Sequence, residues 1–407
     1  MLRVLLALAL SGAVVVSGCT GVRPLPALSG SKLQLATIRG MDDDLEIRFW
    51  GDVAPPSTQE ELGEIRRQFA ARIRAEGELP NDGAYDVLAL SGGGSDGAYG
   101  AGLLDGWSER SDRPEFSLVT GISVGALLAP FAFLGPDYDD DLEVLFTETR
   151  MEDVVQVILF RALFGWALGL TDITPLQLTL DRILTPAMVA RIAEEHGKGR
   201  RLWIGTTYLD AQRPVIWDIG TIAASDYADK RELIKKILLA SAAVPGAFPP
   251  VLFPIEAGGE QFSEMHVDGA ITRSLFIYPR NLDVREEVNG DPSGMRIGTI
   301  YLVRNTKLEP DFQPVAPSLL RIAERSIWTL IKSAGIADVT AIEDQARRDG
   351  WVLKRTSVPL EFDVVEATFF DPEYMRALYE LGYERALKGI AWETLVEPDT
   401  AYLATGN

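Results

Sequence analysis

The sequence predicts an α/β fold with a mainly parallel central sheet flanked by helices, and three observations predict it. Short apolar runs alternate with segments of helical period along most of the 407 residues, the order that builds parallel sheets. The run from Asp86 to Leu90 is almost continuously apolar, as strands covered on both faces are, and it opens into Gly92-Gly93-Gly94. A second run, Leu118 to Thr120, breaks at Gly121-Ile122-Ser123-Val124-Gly125, a Gly-x-Ser-x-Gly turn between strand and helix.

Each element has its own warrant. Residues 1–18 read as a signal peptide, because Arg3 precedes an apolar run from Val4 to Val16 that is short for a membrane span. Residues 19–40 hold prolines, glycines and serines without a period and read as a tether. In the region 41–85, Leu45, Ile47 and Phe49 alternate with Glu46 and Arg48 as a half-buried strand would. Ser57-Thr58-Gln59-Glu60 is a capping-box pattern, followed by Leu62, Ile65, Phe69 and Ile73 on one helical face.

After the serine, Ala126 to Leu134 continues as a buried helix. Further strands are predicted over 202–207 and 215–217, then a helix over 233–243 that stops before Pro245. A short strand over 265–267 ends at Asp268-Gly269-Ala270, and another covers 297–303. Leu319, Ile322, Ala323, Ile327, Leu330, Ile331 and Ala334 mark a long amphipathic helix, and residues 374–387 mark a last one.

Hydrophobic residues make up 47% and charged residues 24% of the chain, ordinary values for a globular protein. The net charge of −20 argues against nucleic acid as a partner and against attraction to anionic headgroups. Val16-Ser17-Gly18-Cys19 resembles a bacterial lipobox, and Cys19 is the single cysteine. The resemblance implies that Cys19 is lipidated and becomes the mature N-terminus, which accounts for a thiol with no partner to oxidise with. With two or more acyl chains, anchoring is stable. Thr20, where aspartate would retain the protein at the inner membrane, points to the outer membrane of a bacterial envelope, facing the periplasm.

The chemistry is carried by the two breaks. Three glycines at a helix start present backbone N–H groups and the positive end of a helix dipole to an anion. Beside a serine lifted out of a tight turn they supply an oxyanion hole, each donor contributing about 3 kcal/mol to an acyl-transfer transition state. Gly92 to Gly97 also fits Gly-x-Gly-x-x-Gly, but the next strand ends at Thr120-Gly121 rather than at a ribose-binding carboxylate, and no lysine follows for a phosphate loop. The serine needs a base. The chain has two histidines. His196 sits in a polar helix end or loop, where a solvated ring is the default. His266 is two residues before Asp268, a spacing that turns both to one face of a strand. A Ser-His-Asp triad and a carboxylate acting directly on the serine are both open on this reading.

The ordered set Gly92-Gly93-Gly94-x-x-Gly97, Gly121-x-Ser123-x-Gly125 and Asp268-Gly269-Ala270 resembles the patatin-like phospholipases. So does the run from Ala240 to Pro250 ahead of the aspartate. The resemblance covers residues 86–306 and implies a three-layer patatin-like fold. It implies a dyad of Ser123 as nucleophile and Asp268 as base, and an oxyanion hole from the N–H groups of Gly92, Gly93 and Gly94. Gly97, Gly121, Gly125 and Gly269 are its motif glycines. The reaction implied is hydrolysis of fatty-acyl esters of membrane phospholipids or other lipids, with no cofactor and no metal. A carboxylesterase or lysophospholipase on the same scaffold is the alternative among enzymes. A silent lipid-binding lipoprotein is the alternative from another class, and the intact serine, aspartate and glycines speak against it.

Two departures matter. Asp96 stands where the family carries Arg or Lys, and Ala270 replaces a glycine. Residues 307–407 are expected as a helical region packing on the catalytic domain. The apolar stretch from Val154 to Leu170, with Phe160, Phe164 and Trp166, reads as a buried helix or as the lid or wall of an acyl-chain pocket.

Overall fold

In the strand Ala84–Leu90, Val87 and Ala89 enter one apolar cluster while Leu88 and Leu90 enter another. The strand Arg296–Arg304 beside it does the same, with Ile300 and Leu302 on one side and Tyr301 and Val303 on the other. This two-residue period sends neighbours to opposite faces of a sheet, so both faces here are covered and the fold has three layers. The computed structural model describes residues 23–28, 36–41, 45–76, 83–154, 156–157, 171–282, 284–285, 295–310, 312 and 314–397. The signal peptide with Cys19, part of the tether and most of Val154 to Leu170 lie outside the described residues.

In chain order the strands are β1 (Thr37–Ile38), β2 (Arg48–Trp50), β3 (Ala84–Leu90), β4 (Leu118–Ile122), β5 (Gln156–Val157) and β6 (Thr171–Asp172). They continue with β7 (Arg201–Tyr208), β8 (Arg213–Asp218), β9 (Val251–Ala257), β10 (Glu260–Asp268), β11 (Arg296–Arg304), β12 (Val352–Ser357) and β13 (Glu393–Val396). Eleven of them form one sheet in the order β1-β9-β10-β7-β4-β3-β11-β12-β13, with β8 beside β7 and β2 beside β8; β5 and β6 pair separately. The central strands β7, β4, β3, β11 and β12 are parallel to one another, and the remaining pairings are antiparallel.

One face is covered by the helices Gly97–Glu109, Val124–Leu134, Lys230–Ser241 and Pro372–Leu387, which bury Leu103, Phe131, Ile237 and Leu378 in the larger cluster. The other face is covered by the helix Leu319–Asp349 through Val339, Ile342 and Ala346. The helix that follows the glycines is clamped by the last helix at backbone distance, since a Cβ on Gly102 would lie 1.9 Å from the carbonyl oxygen of Tyr379.

The region 307–407 differs from the helical region expected, because β12 and β13 extend the central sheet. Lys354 and Arg355 interrupt β12, a mixed pattern suited to its place near the sheet edge. The long helix runs on to Asp349 and stops at Gly350, whose φ of 84° is left-handed. The Ser57 hydroxyl donates to Glu46, and the helix it precedes spans Thr58–Glu76. Among the described residues no helix is long and apolar enough to cross a membrane.

Candidate active site

Strand β7 brings the two motifs together. Its residues Trp203 to Tyr208 pair with β8 along one edge. Along the other edge, β4 runs parallel to it as far as Ile122 opposite Gly205. On that same edge β10 runs antiparallel from His266 opposite Tyr208 to Asp268 opposite Thr206. The two strands therefore meet head to head, and Ser123 and Asp268 leave them at adjacent positions of β7. A Cβ on Gly269 would lie 2.6 Å from the Gly205 carbonyl oxygen, so the chain turns away from β10 where only glycine fits.

Ser123 has φ 55° and ψ −126°, a conformation that costs a side-chain-bearing residue about 1–3 kcal/mol. The strain is held from below. The Ser123 N–H donates to Ser241 Oγ at 3.0 Å, and Ser241 Oγ donates to the Gly205 carbonyl at 2.7 Å. Two residues on, the Ala243 carbonyl accepts the N–H of Asp268 at 2.9 Å. The run from Ala240 to Pro250 thus fixes both residues. Gly121 and Gly125 flank the elbow as expected: Cβ atoms there would lie 2.5 Å from the Gly125 carbonyl and 2.3 Å from that of Leu90. At Gly97 a Cβ would meet Val124 Cγ2 at 2.3 Å.

Asp268 is fully buried. Its Oδ1 accepts the N–H of Ala270 at 2.8 Å, while Oδ2 is buried with no hydrogen-bond partner among the described residues. Burial pushes its pKa up to about 7, against the opposing pull of the Ser123 hydroxyl and the Ala270 N–H. The Ser123 hydroxyl is thus near enough to favour the ionised carboxylate, while Oδ2 stays without a hydrogen bond.

The glycine loop follows β3. Gly92 sits under the serine, where an added Cβ would be 3.0 Å from Ser123 Cβ. The N–H groups of Gly92, Gly93 and Gly94 have no protein acceptor among the described residues, whereas that of Ser91 is paired to Val303. Asn305, at the end of β11, pins the loop from behind. Its N–H donates to Ser91 Oγ at 2.9 Å and its Nδ2 to the Ser91 carbonyl at 2.7 Å.

Ser123, Asp268 and the three glycines open onto one cavity of about 510 Å³. Its walls are mostly apolar, with Leu127, Phe146, Phe248, Trp328 and Phe369 among them, and the long helix Leu319–Asp349 forms one side. Residues 88–279 match the family model of the patatin-like phospholipases. The chain carries a patatin-like phospholipase domain. A crystal structure of VipD from Legionella pneumophila is similar at 15% identity and a TM-score of 0.33, covering 77% of this chain and 68% of that one. No curated protein matches the chain.

Neither histidine lines the cavity. His266 lies on β10 as expected, but its Nδ1 is 2.9 Å from Thr206 Oγ1 and its Nε2 is 3.2 Å from Glu264 Oε2. Its ring stacks on Tyr208 and abuts Phe253, and burial lowers its pKa. His196 is not a solvated ring. It packs against Gly220 near the end of the helix Pro186–Gly197, 3.8 Å from Asp218 Oδ1, and burial lowers its pKa as well.

Asp96 of the patatin-like domain does not line the cavity. It accepts from the Tyr374 hydroxyl at 2.6 Å, and burial pushes it up to about 7. Next to it, Ser95 Oγ accepts the N–H of Phe370 at 3.1 Å and bonds Glu366. The residue that departs from the family pattern thus ties the glycine loop to the chain ahead of the last helix. Ser241, Asn305 and Tyr374 carry no sequence signal that marks them as supports. The run from Ala240 to Pro250 that contains Ser241 is marked by resemblance alone.

Proposed function

We propose that the protein is a serine hydrolase of lipid acyl esters, with Ser123 as nucleophile, Asp268 as base and the N–H groups of Gly92, Gly93 and Gly94 as oxyanion hole. The observation that carries this reading is the unpartnered Oδ2 of Asp268, buried beside Ser123 at an apolar cavity. Ser123 Oγ attacks the ester carbonyl as its proton passes to Asp268 Oδ2. The negative charge that develops on the carbonyl oxygen meets the free glycine N–H groups, which need no reorganisation at that moment. Collapse breaks the ester C–O bond, and the leaving alcohol takes the proton from Asp268. A water then attacks the acyl-serine, giving its proton to Asp268, and release of the fatty acid returns that proton to Ser123. Engagement of both ring nitrogens of His266 elsewhere favours a dyad over a triad.

The test is labelling with a tagged fluorophosphonate, together with mass spectrometry of products from mixed bacterial lipids. Wild type should label and release fatty acid; Ser123→Ala should do neither, and His266→Gln should do both. Labelling that persists in Ser123→Ala overturns the assignment. Turnover of soluble short-chain esters alone would make the protein a carboxylesterase.

We also propose that the chain is anchored in a bacterial envelope through lipidated Cys19, facing the periplasm from the outer membrane. The sequence around Cys19 supports this reading. Cys19→Ser should move the protein from the membrane to the soluble fraction and abolish palmitate labelling.

A further inference from the structure

Buried arginines in this protein have carboxylate partners close by. Arg113 lies 3.0 Å from Asp139, Arg200 lies 2.8 Å from Glu195, and Arg201 lies 2.6 Å from Glu61. Arg304, the last residue of β11, is different. It is 3% exposed, and its Nε is buried with no partner. Its guanidinium makes no hydrogen bond and no ion pair with any described residue. The nearest carboxylate in electrostatic terms, Asp338, is engaged otherwise. It accepts the N–H groups of Ser274 at 2.7 Å and Leu275 at 3.3 Å, and lies 3.7 Å from Arg273 and 3.9 Å from Arg280. An isolated buried guanidinium is unfavourable, and the fold retains it where an anion could satisfy it.

That place is the cavity. Arg304 lines it together with Ser123, Asp268 and the three glycines. It sits two strands from the serine along β4-β3-β11, about 10 Å at the backbone, a gap that an arginine side chain and a glycerol unit span together. The site is built for the guanidinium. Gly335 of the long helix faces it, and a Cβ there would lie 2.6 Å from Arg304 Nη1. Arg325 and Lys332 line the same cavity on that helix, adding positive charge to this wall. The planar fork of arginine matches two oxygens of a phosphate.

We propose that Arg304 docks the phosphodiester of a glycerophospholipid whose acyl ester lies at Ser123. The inference rests on the hydrolase reading above and narrows its substrate class. Arg304 lies beyond the segment that matches the family model, and it supplies from β11 a positive charge that Asp96 does not bring to the glycine loop.

Two variants test this. Arg304→Gln removes the charge. Gly335→Ala keeps the charge but presses the guanidinium from its seat, and alanine inside a helix folds readily. The kcat/KM for a monomeric short-chain diacylphosphatidylcholine is divided by that for the diacylglycerol of the same chains. The ratio should fall at least tenfold in both variants; an unchanged ratio in Gly335→Ala overturns the proposal, whether or not Arg304→Gln folds. A second arm measures calorimetric binding of the ether-linked phosphocholine, which needs no turnover. Tenfold weaker binding in the variants supports Arg304 even if wild type cleaves neither ester, in which case the hydrolase reading alone fails. Inorganic phosphate that binds wild type as tightly as the ether lipid would mark a site for free anions and overturn the lipid assignment.

Discussion

The hydroxyl of Ser241 accepts the N–H of Ser123 at 3.0 Å and donates its own hydrogen bond to the carbonyl of Gly205 at 2.7 Å. A backbone position with φ 55° is thereby tied to the strand that also carries the partner of Asp268. Ser241→Ala leaves a buried N–H unpaired, which costs about 1–3 kcal/mol. We expect a lower melting temperature and, in the folded enzyme, a kcat reduced by about tenfold to a hundredfold with KM little changed, because the serine is misplaced while the cavity is intact. A rise in KM at constant kcat would show that Ser241 shapes binding instead.

With Asp268 as the proposed base, a pH dependence is expected. Its pKa is raised to about 7 by burial, so a base at this position is competent only as pH climbs through that value, and kcat/KM should rise along an acid limb near pH 7. Stability runs the other way. A carboxyl whose folded pKa is raised contributes fully below its ordinary value of 3.8, and that contribution is lost as pH rises through about 7. Asp268→Asn should therefore be inactive yet melt several degrees above wild type at pH 8, with the gap narrowing toward pH 4. A variant that melts below wild type at pH 8 would contradict the raised pKa.

Gly93 has no room for a side chain. A Cβ there would lie 3.0 Å from Asn305 Cβ and 3.3 Å from both Asp96 Cβ and Thr306 Cγ2. Gly93→Ala should shift the loop donors and lower the acylation rate by about 10²–10³, the usual effect of losing an oxyanion donor. Binding of an ether-linked lipid should be nearly unaffected. Stopped-flow acylation and calorimetry separate the two quantities.

Tyr374→Phe removes the hydroxyl that donates to Asp96. Losing that donor harms the ionised carboxylate more than the neutral acid, so the loss of stability should be larger at pH 8 than at pH 5. It should reach about 1–3 kcal/mol at the higher pH. Equal destabilisation at both values, read from denaturant titrations, would mean that packing of the ring dominates.

The legible part of this site is the part written in short spans. Strand, glycines and helix are contiguous from Asp86 to Glu109, as are strand, serine and helix from Leu118 to Leu134, and Asp268-Gly269 ends a strand. Local geometry decides each of these, so residue types at fixed spacing reveal them. The supports are written across the chain. Asn305 and Ser91 are 214 positions apart, and Tyr374 and Asp96 are 278 apart. An isolated Asn, Tyr or Ser carries no spacing signal of such a partner. The charge on Arg304 is equally silent in sequence, because β11 reads as an apolar strand with a basic end. The role of His266 is open in sequence for a related reason: a shared strand face with Asp268 says nothing of Thr206 and Glu264, which engage its ring.

The separation of Ser123 and Asp268 is measured out by Gly205 and Thr206, adjacent residues of β7. The chain between the helix Val124–Leu134 and β7, which includes cavity wall at Leu145, Phe146 and Leu176, hangs outside this two-residue gauge. Insertions and deletions there can reshape the cavity wall while Ser123 and Asp268 keep their register. Chain-length preference and bond-breaking capacity are in that sense independently evolvable, and a library of segments grafted between that helix and β7 would vary the one without retuning the other.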